Sequence, residues 1–74
     1  MKVMLTMYLC SVIQLQCMPP YTFPDKYDDL YNCMISGYEK AYDKTIEIGK
    51  TDINKDMLYI KFRCTQVPDE EKST

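Results

Sequence analysis

Apolar and polar residues alternate along residues 3–17, and this pattern constrains the fold more than any other feature of the chain. The odd-numbered positions are apolar except for Ser11, and they are Val3, Leu5, Met7, Leu9, Ile13, Leu15 and Cys17. The polar residues Thr6, Gln14 and Gln16 occupy even-numbered positions. Because successive side chains of a strand point to opposite faces, the pattern predicts one extended strand with one buried face.

A stiff connector and then a helix are predicted to follow this strand. The three prolines of residues 18–24 lack the N–H that a strand ladder needs, so this stretch is expected to leave the sheet. Asp25 offers an N-cap and Gly49 offers a C-cap, which predicts a helix over about 26–48. Gly37 would allow this helix to approach a strand closely.

The predicted helix carries a stripe that we expect to pack on the sheet. At about 100° per residue, nine positions gather on one side of the axis. They are Tyr27, Leu30, Tyr31, Met34, Tyr38, Ala41, Tyr42, Thr45 and Ile48. No basic groove accompanies the tyrosines, so we interpret them as core residues and not as a platform for nucleic-acid bases.

A second alternating segment covers residues 57–64, after a polar turn at 51–56. Its apolar face is Leu58, Ile60, Phe62 and Cys64. The chain is therefore predicted to be a small α+β domain over residues 1–67. We expect a two-stranded parallel sheet with one long, right-handed crossover helix, extended by self-association. Residues 68–74 are predicted to be a disordered acidic tail.

Charge and hydropathy exclude several classes of function. The net charge is −2, all of it from the last seven residues, which disfavours nucleic acid as a partner.

The apolar run 3–13 resembles a signal-peptide core, but polar residues dilute it and no small-residue cleavage site follows. It is also shorter than the roughly 20 residues of a membrane span. We expect the host-cell cytoplasm or a virion, with export after cleavage as the alternative.

Four cysteines raise the question of disulfides, metal or thiol chemistry. Their spacings of six, fifteen and thirty intervening residues do not match the close pairs of a zinc site. In parallel strands Cys17 and Cys64 would lie at the same end, so we favour that disulfide, with two buried thiols as the alternative. Cys10 and Cys33 could form a second bridge, link two chains or stay reduced.

The face of the sheet away from the helix is predicted to bind a partner. It would present Met4, Tyr8, Val12, Met57 and Tyr59, with Lys61 and Arg63 beside them as edge protection or rim contacts. Such a face is too apolar for solvent, which favours self-association or docking on another protein. The alternative is a monomer in which residues 18–24 or 51–56 cover it.

Nothing in the sequence indicates catalysis. The chain has no histidine and no convincing pair of nucleophile and base. Asp25, Asp28 and Asp29 are explained by the predicted helix start and not by a metal. We therefore predict no catalytic residue, no metal, no cofactor and no small-molecule substrate.

Several short motifs over residues 1–65 resemble small uncharacterised proteins encoded by marine bacteriophages and marine viral metagenomes. The motifs are Cys10-Ser11-Val12-Ile13, Cys17-Met18-Pro19-Pro20, Tyr31-Asn32-Cys33-Met34, Gly37-Tyr38-Glu39, Ile48-Gly49-Lys50, Asn54-Lys55 and Tyr59-Ile60-Lys61-Phe62-Arg63-Cys64. The resemblance implies a viral origin and no particular activity. We therefore expect a non-enzymatic viral accessory protein acting on a host protein. The alternatives are a minor virion component and a small thiol-reactive or redox protein.

Overall fold

The structure is a computed structural model that describes residues 2–67, so the predicted tail at 68–74 lies outside the described residues. The elements in chain order are β1 (Lys2–Ser11), β2 (Gln16–Cys17), β3 (Tyr21–Tyr27), α1 (Leu30–Ile48), α2 (Lys50–Asp56) and β4 (Leu58–Val67). The four strands form one antiparallel sheet, and α1 packs on one of its faces. The predicted two-stranded parallel sheet with a single crossover helix is therefore wrong.

Strand β1 lies at the centre of the sheet. On one side it pairs with β4 along its whole length, from Lys2 opposite Val67 to Ser11 opposite Leu58. On the other side β3 pairs with the first part of β1, and β2 pairs with its last two residues. The strand that carries the strongest alternation is thus the one that is paired on both sides.

The predicted first strand is too long, because the chain reverses direction after Ser11. The Ser11 hydroxyl donates to the Asp56 carbonyl at 2.9 Å and accepts from the Gln14 N–H at 3.2 Å. Leu15 takes a left-handed φ of 56°, and β2 then returns along β1. Ser11, the one polar exception in the apolar set, lies at the reversal, but Ile13, Leu15 and Cys17 resume the period of two, so the pattern is that of one continuous strand.

The predicted connector contains a strand. Residues Tyr21–Tyr27 form β3, and the register with β1 jumps from Met4 opposite Lys26 to Thr6 opposite Thr22. Pro24 lies inside this irregularity, where its missing N–H does not interrupt a regular ladder. The helix consequently starts later than predicted.

The helix boundaries follow from two caps. Asp29 caps α1 by accepting from the Asn32 N–H at 2.8 Å, so the predicted N-cap at Asp25 is wrong. The predicted C-cap is confirmed, since Gly49 ends α1 with a φ of 97°. The predicted polar turn at 51–56 is instead the short helix α2, which ends at Met57 with a left-handed φ of 51°.

The core lies between α1 and the sheet. Val3, Leu5 and Cys33 are buried, and four partly buried side chains pack against them: Phe23, Tyr27, Phe62 and Cys64. Gly37 brings the helix close to β4, because a Cβ atom there would lie 2.5 Å from the ring of Phe62. The predicted close approach at Gly37 is confirmed.

The predicted core stripe faces the sheet only in part, and its first member, Tyr27, lies in β3 and packs against the core. Within α1 the buried residues are Cys33 and Gly37, whereas Tyr31, Tyr38 and Tyr42 are 71%, 62% and 68% exposed. A disulfide from Cys33 and the close contact at Gly37 fix the orientation of the helix, since residues four apart share one face. Tyr31 and Tyr42 are therefore turned away from the core, whereas Tyr38 lies beside the Phe62 ring of β4.

Candidate interaction surfaces

The two disulfides join different parts of the fold. Cys10–Cys17 links β1 to β2, and Cys33–Cys64 links α1 to β4, so all four cysteines of the described chain are paired. The predicted bridge between Cys17 and Cys64 is therefore wrong. Its premise fails at the hairpin, because Cys17 lies opposite Cys10 and not at the end of one long strand.

Five of the seven residues predicted to contact a partner lie together on the strand face that points away from α1. We call this set the open sheet face: Met4, Tyr8, Tyr59, Lys61 and Arg63. The register places Tyr8 opposite Lys61, and its ring contacts both neighbouring cations. The Lys61 Nζ lies 5.4 Å from the ring centroid and the Arg63 Cζ lies 5.8 Å from it.

The other two predicted residues lie beyond the ends of the strands. The Val12 N–H donates to the Met57 carbonyl at 3.0 Å, which extends the β1–β4 ladder by one step. Val12 belongs to the hairpin turn and Met57 is the C-cap of α2. Both side chains are exposed, but they lie at the end of the ladder, outside the open sheet face.

Part of the open sheet face is accessible and part is not. Tyr59 is 44% exposed and both cations are exposed, so no described element covers this side of β4. Met4 and Tyr8 are half-buried, and Thr6 between them is buried with its hydroxyl 3.0 Å from that of Thr22. The face is therefore less apolar than predicted, and its accessible part combines aromatic and basic side chains.

The two cations on β4 form no ion pair with another residue of the described chain. Within residues 2–67, the ion pairs are Lys2 with Asp28 at 2.7 Å and Lys44 with Glu47 at 3.4 Å. The hydrogen bond and the charge of Lys2 hold the pKa of Asp28 below its ordinary value. Lys61 and Arg63 have no such partner in this part of the chain, so a carboxylate from another molecule could approach them.

A groove runs between α1 and β4 on the flank of the helix that overhangs β4. We call it the edge groove. It has a volume of about 540 Å³, and its lining residues include Leu30, Met34, Tyr38 and Ala41 from the helix and Ile60, Phe62 and Cys64 from the strand. The Tyr38 ring meets the Phe62 ring edge-on, with centroids 4.8 Å apart. The helix wall of this groove is part of the stripe that was predicted to be core.

A second groove of about 500 Å³ lies on the other flank of α1. Its floor is formed by apolar side chains of the sheet, and its rim by four charged residues of α1 of both signs: Lys40, Asp43, Lys44 and Glu47. Lys40 lies across the Phe23 ring, with its Nζ 5.1 Å from the centroid. The mixed charges of this rim favour neither an anionic nor a cationic ligand.

Within residues 2–67, no group of three or more histidine, cysteine or acidic residues is placed to hold a metal ion. No helix in this part of the chain is long and apolar enough to cross a membrane. No protein-family model, curated protein or solved structure matches the chain.

Sequence reasoning missed the edge groove, although a signal for it is present. The nine positions of the apolar stripe are more than the predicted two-stranded sheet would cover. Such a stripe indicates either a wider sheet or an uncovered flank. The structure has both, because the sheet has four strands and the flank above β4 is not covered by residues 2–67.

Proposed function

We propose that this protein is a small non-enzymatic module that binds another protein through the open sheet face. The observation that carries this proposal is the group of exposed Tyr59, Lys61 and Arg63, which no described element covers. Tyrosine and arginine are enriched at the energetic centres of interfaces. Cations without acidic neighbours favour a partner that supplies carboxylates.

A partner of opposite charge is favoured over a second copy of this chain. In a face-to-face dimer both subunits would contribute the same surface, so the cations of one subunit would be brought toward those of the other. Like charges brought together at an interface oppose association. We therefore propose a monomer that binds an acidic partner surface.

The biological setting that we propose is a viral accessory protein acting on a host protein. The sequence resemblance over residues 1–65 supports this setting. The alternative of a minor virion component would use the same face within a larger assembly. Mass spectrometry of purified particles separates the two, because only a virion component remains with the particles in a fixed ratio.

The alternative of a thiol-reactive protein requires one of the two disulfides to open. Alkylation after limited reduction tests it, with intact mass as the readout. Rapid labelling of one cysteine pair while the other disulfide stays closed would favour that alternative over a binding module. Slow, uniform labelling of all four cysteines would disfavour it.

Site-specific cross-linking tests the proposed binding face. We would replace Tyr59 with p-benzoylphenylalanine, irradiate cells that express the chain, identify the cross-linked protein and reconstitute the complex from purified components. The matched control carries the same amino acid at Tyr42, an exposed tyrosine on the outer side of α1. We expect a specific adduct from position 59 only, and roughly tenfold weaker binding after Lys61→Glu and Arg63→Glu together. Equal adducts from both positions, or binding unchanged by the charge reversal, would contradict the proposal.

A further inference from the structure

We propose that the outer edge of β4 and the edge groove form a binding site for an extended peptide segment in which apolar and acidic residues alternate. The inference rests on the proposed protein-binding function and names the chemistry of the partner. The segment would add a strand to the sheet beside β4. Its apolar side chains would enter the edge groove, and its acidic side chains would lie beside Lys61 and Arg63.

The direction of the backbone groups in β4 provides the hydrogen-bonding template. The Met18 N–H donates to the Leu9 carbonyl, so the backbone N–H and C=O groups of Leu9 point toward β2. Because these groups point to opposite sides in successive residues of a strand, those of the even-numbered residues of β1 point toward β4. The register pairs these even residues with odd residues of β4, as in Tyr8 opposite Lys61. The even residues of β4 therefore direct their N–H and C=O groups to the outer edge; in the centre of the strand these are Ile60, Phe62 and Cys64.

The overhanging helix supplies the apolar side of the site. Leu30, Met34 and Tyr38 are 54%, 38% and 62% exposed, and all three line the edge groove. A strand added to β4 would lie about 4.8 Å from it, and every second side chain would point to the helix layer. Those side chains must be apolar to match the wall of the groove. The added strand would thus cover the part of the helical stripe that residues 2–67 leave exposed.

The side chains on the opposite side of the added strand are expected to be acidic. Its remaining side chains would emerge on the same side as the odd residues of β4, next to Lys61 and Arg63. Neither cation has an ion-pair partner within residues 2–67. Opposite charges on neighbouring strands attract, so glutamate or aspartate is favoured at these positions. Hydrogen bonds along the edge would give affinity, and the alternating side chains would give specificity.

A second copy of this chain suits the same edge poorly in the registers centred on residues 61–63. If two β4 strands paired antiparallel about Phe62, Lys61 of each would lie opposite Arg63 of the other. Centring the pair on Lys61 or Arg63 would place a cation opposite its own copy. Like charges directly opposite each other destabilise a strand pair, so the charges of β4 favour a foreign acidic strand.

A titration with synthetic peptides tests this inference on the full, disulfide-bonded chain. The probe is a capped nine-residue peptide in which valine alternates with glutamate, and the control peptide replaces each glutamate with lysine. Isothermal titration gives the Kd, and amide chemical shifts show the location. We expect binding of the glutamate peptide, with the largest shift changes at Ile60, Phe62 and Cys64. The lysine peptide should bind at least tenfold more weakly.

Two further comparisons separate strand addition from charge attraction alone. The double variant Lys61→Glu with Arg63→Glu should bind the glutamate peptide at least tenfold more weakly and the lysine peptide more tightly. The control Lys26→Glu, at the opposite edge, should change neither affinity by more than about twofold. A glutamate peptide that is N-methylated at alternate residues should bind when its free N–H groups face β4, and not when the methylated ones do. Equal binding of both methylated isomers would overturn strand addition.

Failure of this inference and failure of the proposed function give different results. If the cross-linked partner binds the open sheet face but the glutamate peptide does not bind β4, the inference is wrong and the proposed function stands. If the peptide shifts resonances only in the second groove, the inference is wrong as well. Dimerisation of the chain through β4, detected by sedimentation, would also overturn it.

Discussion

The two edges of the sheet differ in how they are built. The β3 edge is seven residues long, contains Pro24 and breaks its register with β1. The β4 edge is ten residues long, contains no glycine or proline and keeps one continuous register from Lys2 opposite Val67 to Ser11 opposite Leu58. Proline and bulges are common protections of an edge against strand addition. The protein protects one edge in this way and leaves the other regular.

The two sides of β1 are held by different parts of the chain. On the β3 side the chain folds back on itself through a hairpin that is closed by Cys10–Cys17. On the β4 side the helix is tied over the strand by Cys33–Cys64, and the edge groove remains open. Each disulfide therefore supports one side, and removing them separately tests whether the two sides are independent.

Removing the Cys33–Cys64 bridge should have the largest effect. In the chain-entropy treatment, a link between residues 31 positions apart stabilises the fold by roughly 4 kcal/mol. A link between residues 7 positions apart contributes roughly 2 kcal/mol. We expect Cys33→Ser with Cys64→Ser to lower the free energy of unfolding more than Cys10→Ser with Cys17→Ser, as measured by urea denaturation. The opposite ranking would show that the helix is held to β4 chiefly by packing.

Gly37→Ala should have the next largest effect. The new methyl group would meet the Phe62 ring, and overpacking of this kind costs about 1–3 kcal/mol, against about 1 kcal/mol gained from helix propensity. We expect a lower urea midpoint and a disturbed edge groove. In a Phe62→Leu background the same substitution should cost less, since the ring is gone. Equal costs in both backgrounds would mean that the ring is not the obstacle.

Polar substitution of the groove wall should separate binding from stability. Because Leu30 is largely exposed, Leu30→Ser should change the free energy of unfolding by only about 0.5 kcal/mol. The Leu30→Ser variant should nevertheless bind the valine–glutamate peptide severalfold more weakly. Ile46→Ser is the matched control, since Ile46 is also exposed on α1 but does not line the groove. Equal losses of affinity in both variants would place the peptide elsewhere.

The smallest effect is expected at the Lys2–Asp28 ion pair. Lys2 lowers the pKa of Asp28, so the pair contributes stability above the ordinary carboxyl pKa and loses it as the pH falls through the lowered value. Because Asp28 is fully exposed, solvent screens the pair. We expect Asp28→Asn to leave the urea midpoint unchanged at pH 7. A clear drop would indicate that this corner of the sheet is coupled to the core.

Local patterns predicted the strand faces and the helix end correctly, because both depend on neighbouring residues. The alternation of apolar and polar residues in β1 and β4 predicted that Tyr8 and Lys61 lie on the same face of the sheet. Gly49 marked the end of α1. The hairpin was missed because Ile13, Leu15 and Cys17 resume the period of two after Ser11. The strand β3 was missed because Pro24 is tolerated at an irregular edge.

The rotation of α1 could not be predicted from its own sequence. Hydrophobicity alone would turn Tyr31, Tyr38 and Tyr42 toward the sheet, but the pairing of Cys33 with Cys64 is a tertiary constraint between distant positions. That constraint determines which side of the stripe is buried and which side forms the edge groove. The candidate binding site is therefore a consequence of disulfide pairing, which spacing alone leaves open.

Amide hydrogen exchange along β4, with and without the valine–glutamate peptide, tests the central claim most directly. In the free protein we expect slow exchange at Lys61 and Arg63, whose N–H groups bond to β1, and faster exchange at Ile60 and Phe62, whose N–H groups point outward. The peptide should slow exchange at Ile60 and Phe62 selectively. Uniform exchange along the strand in the free protein, or peptide protection confined to residues outside β4, would contradict the claim.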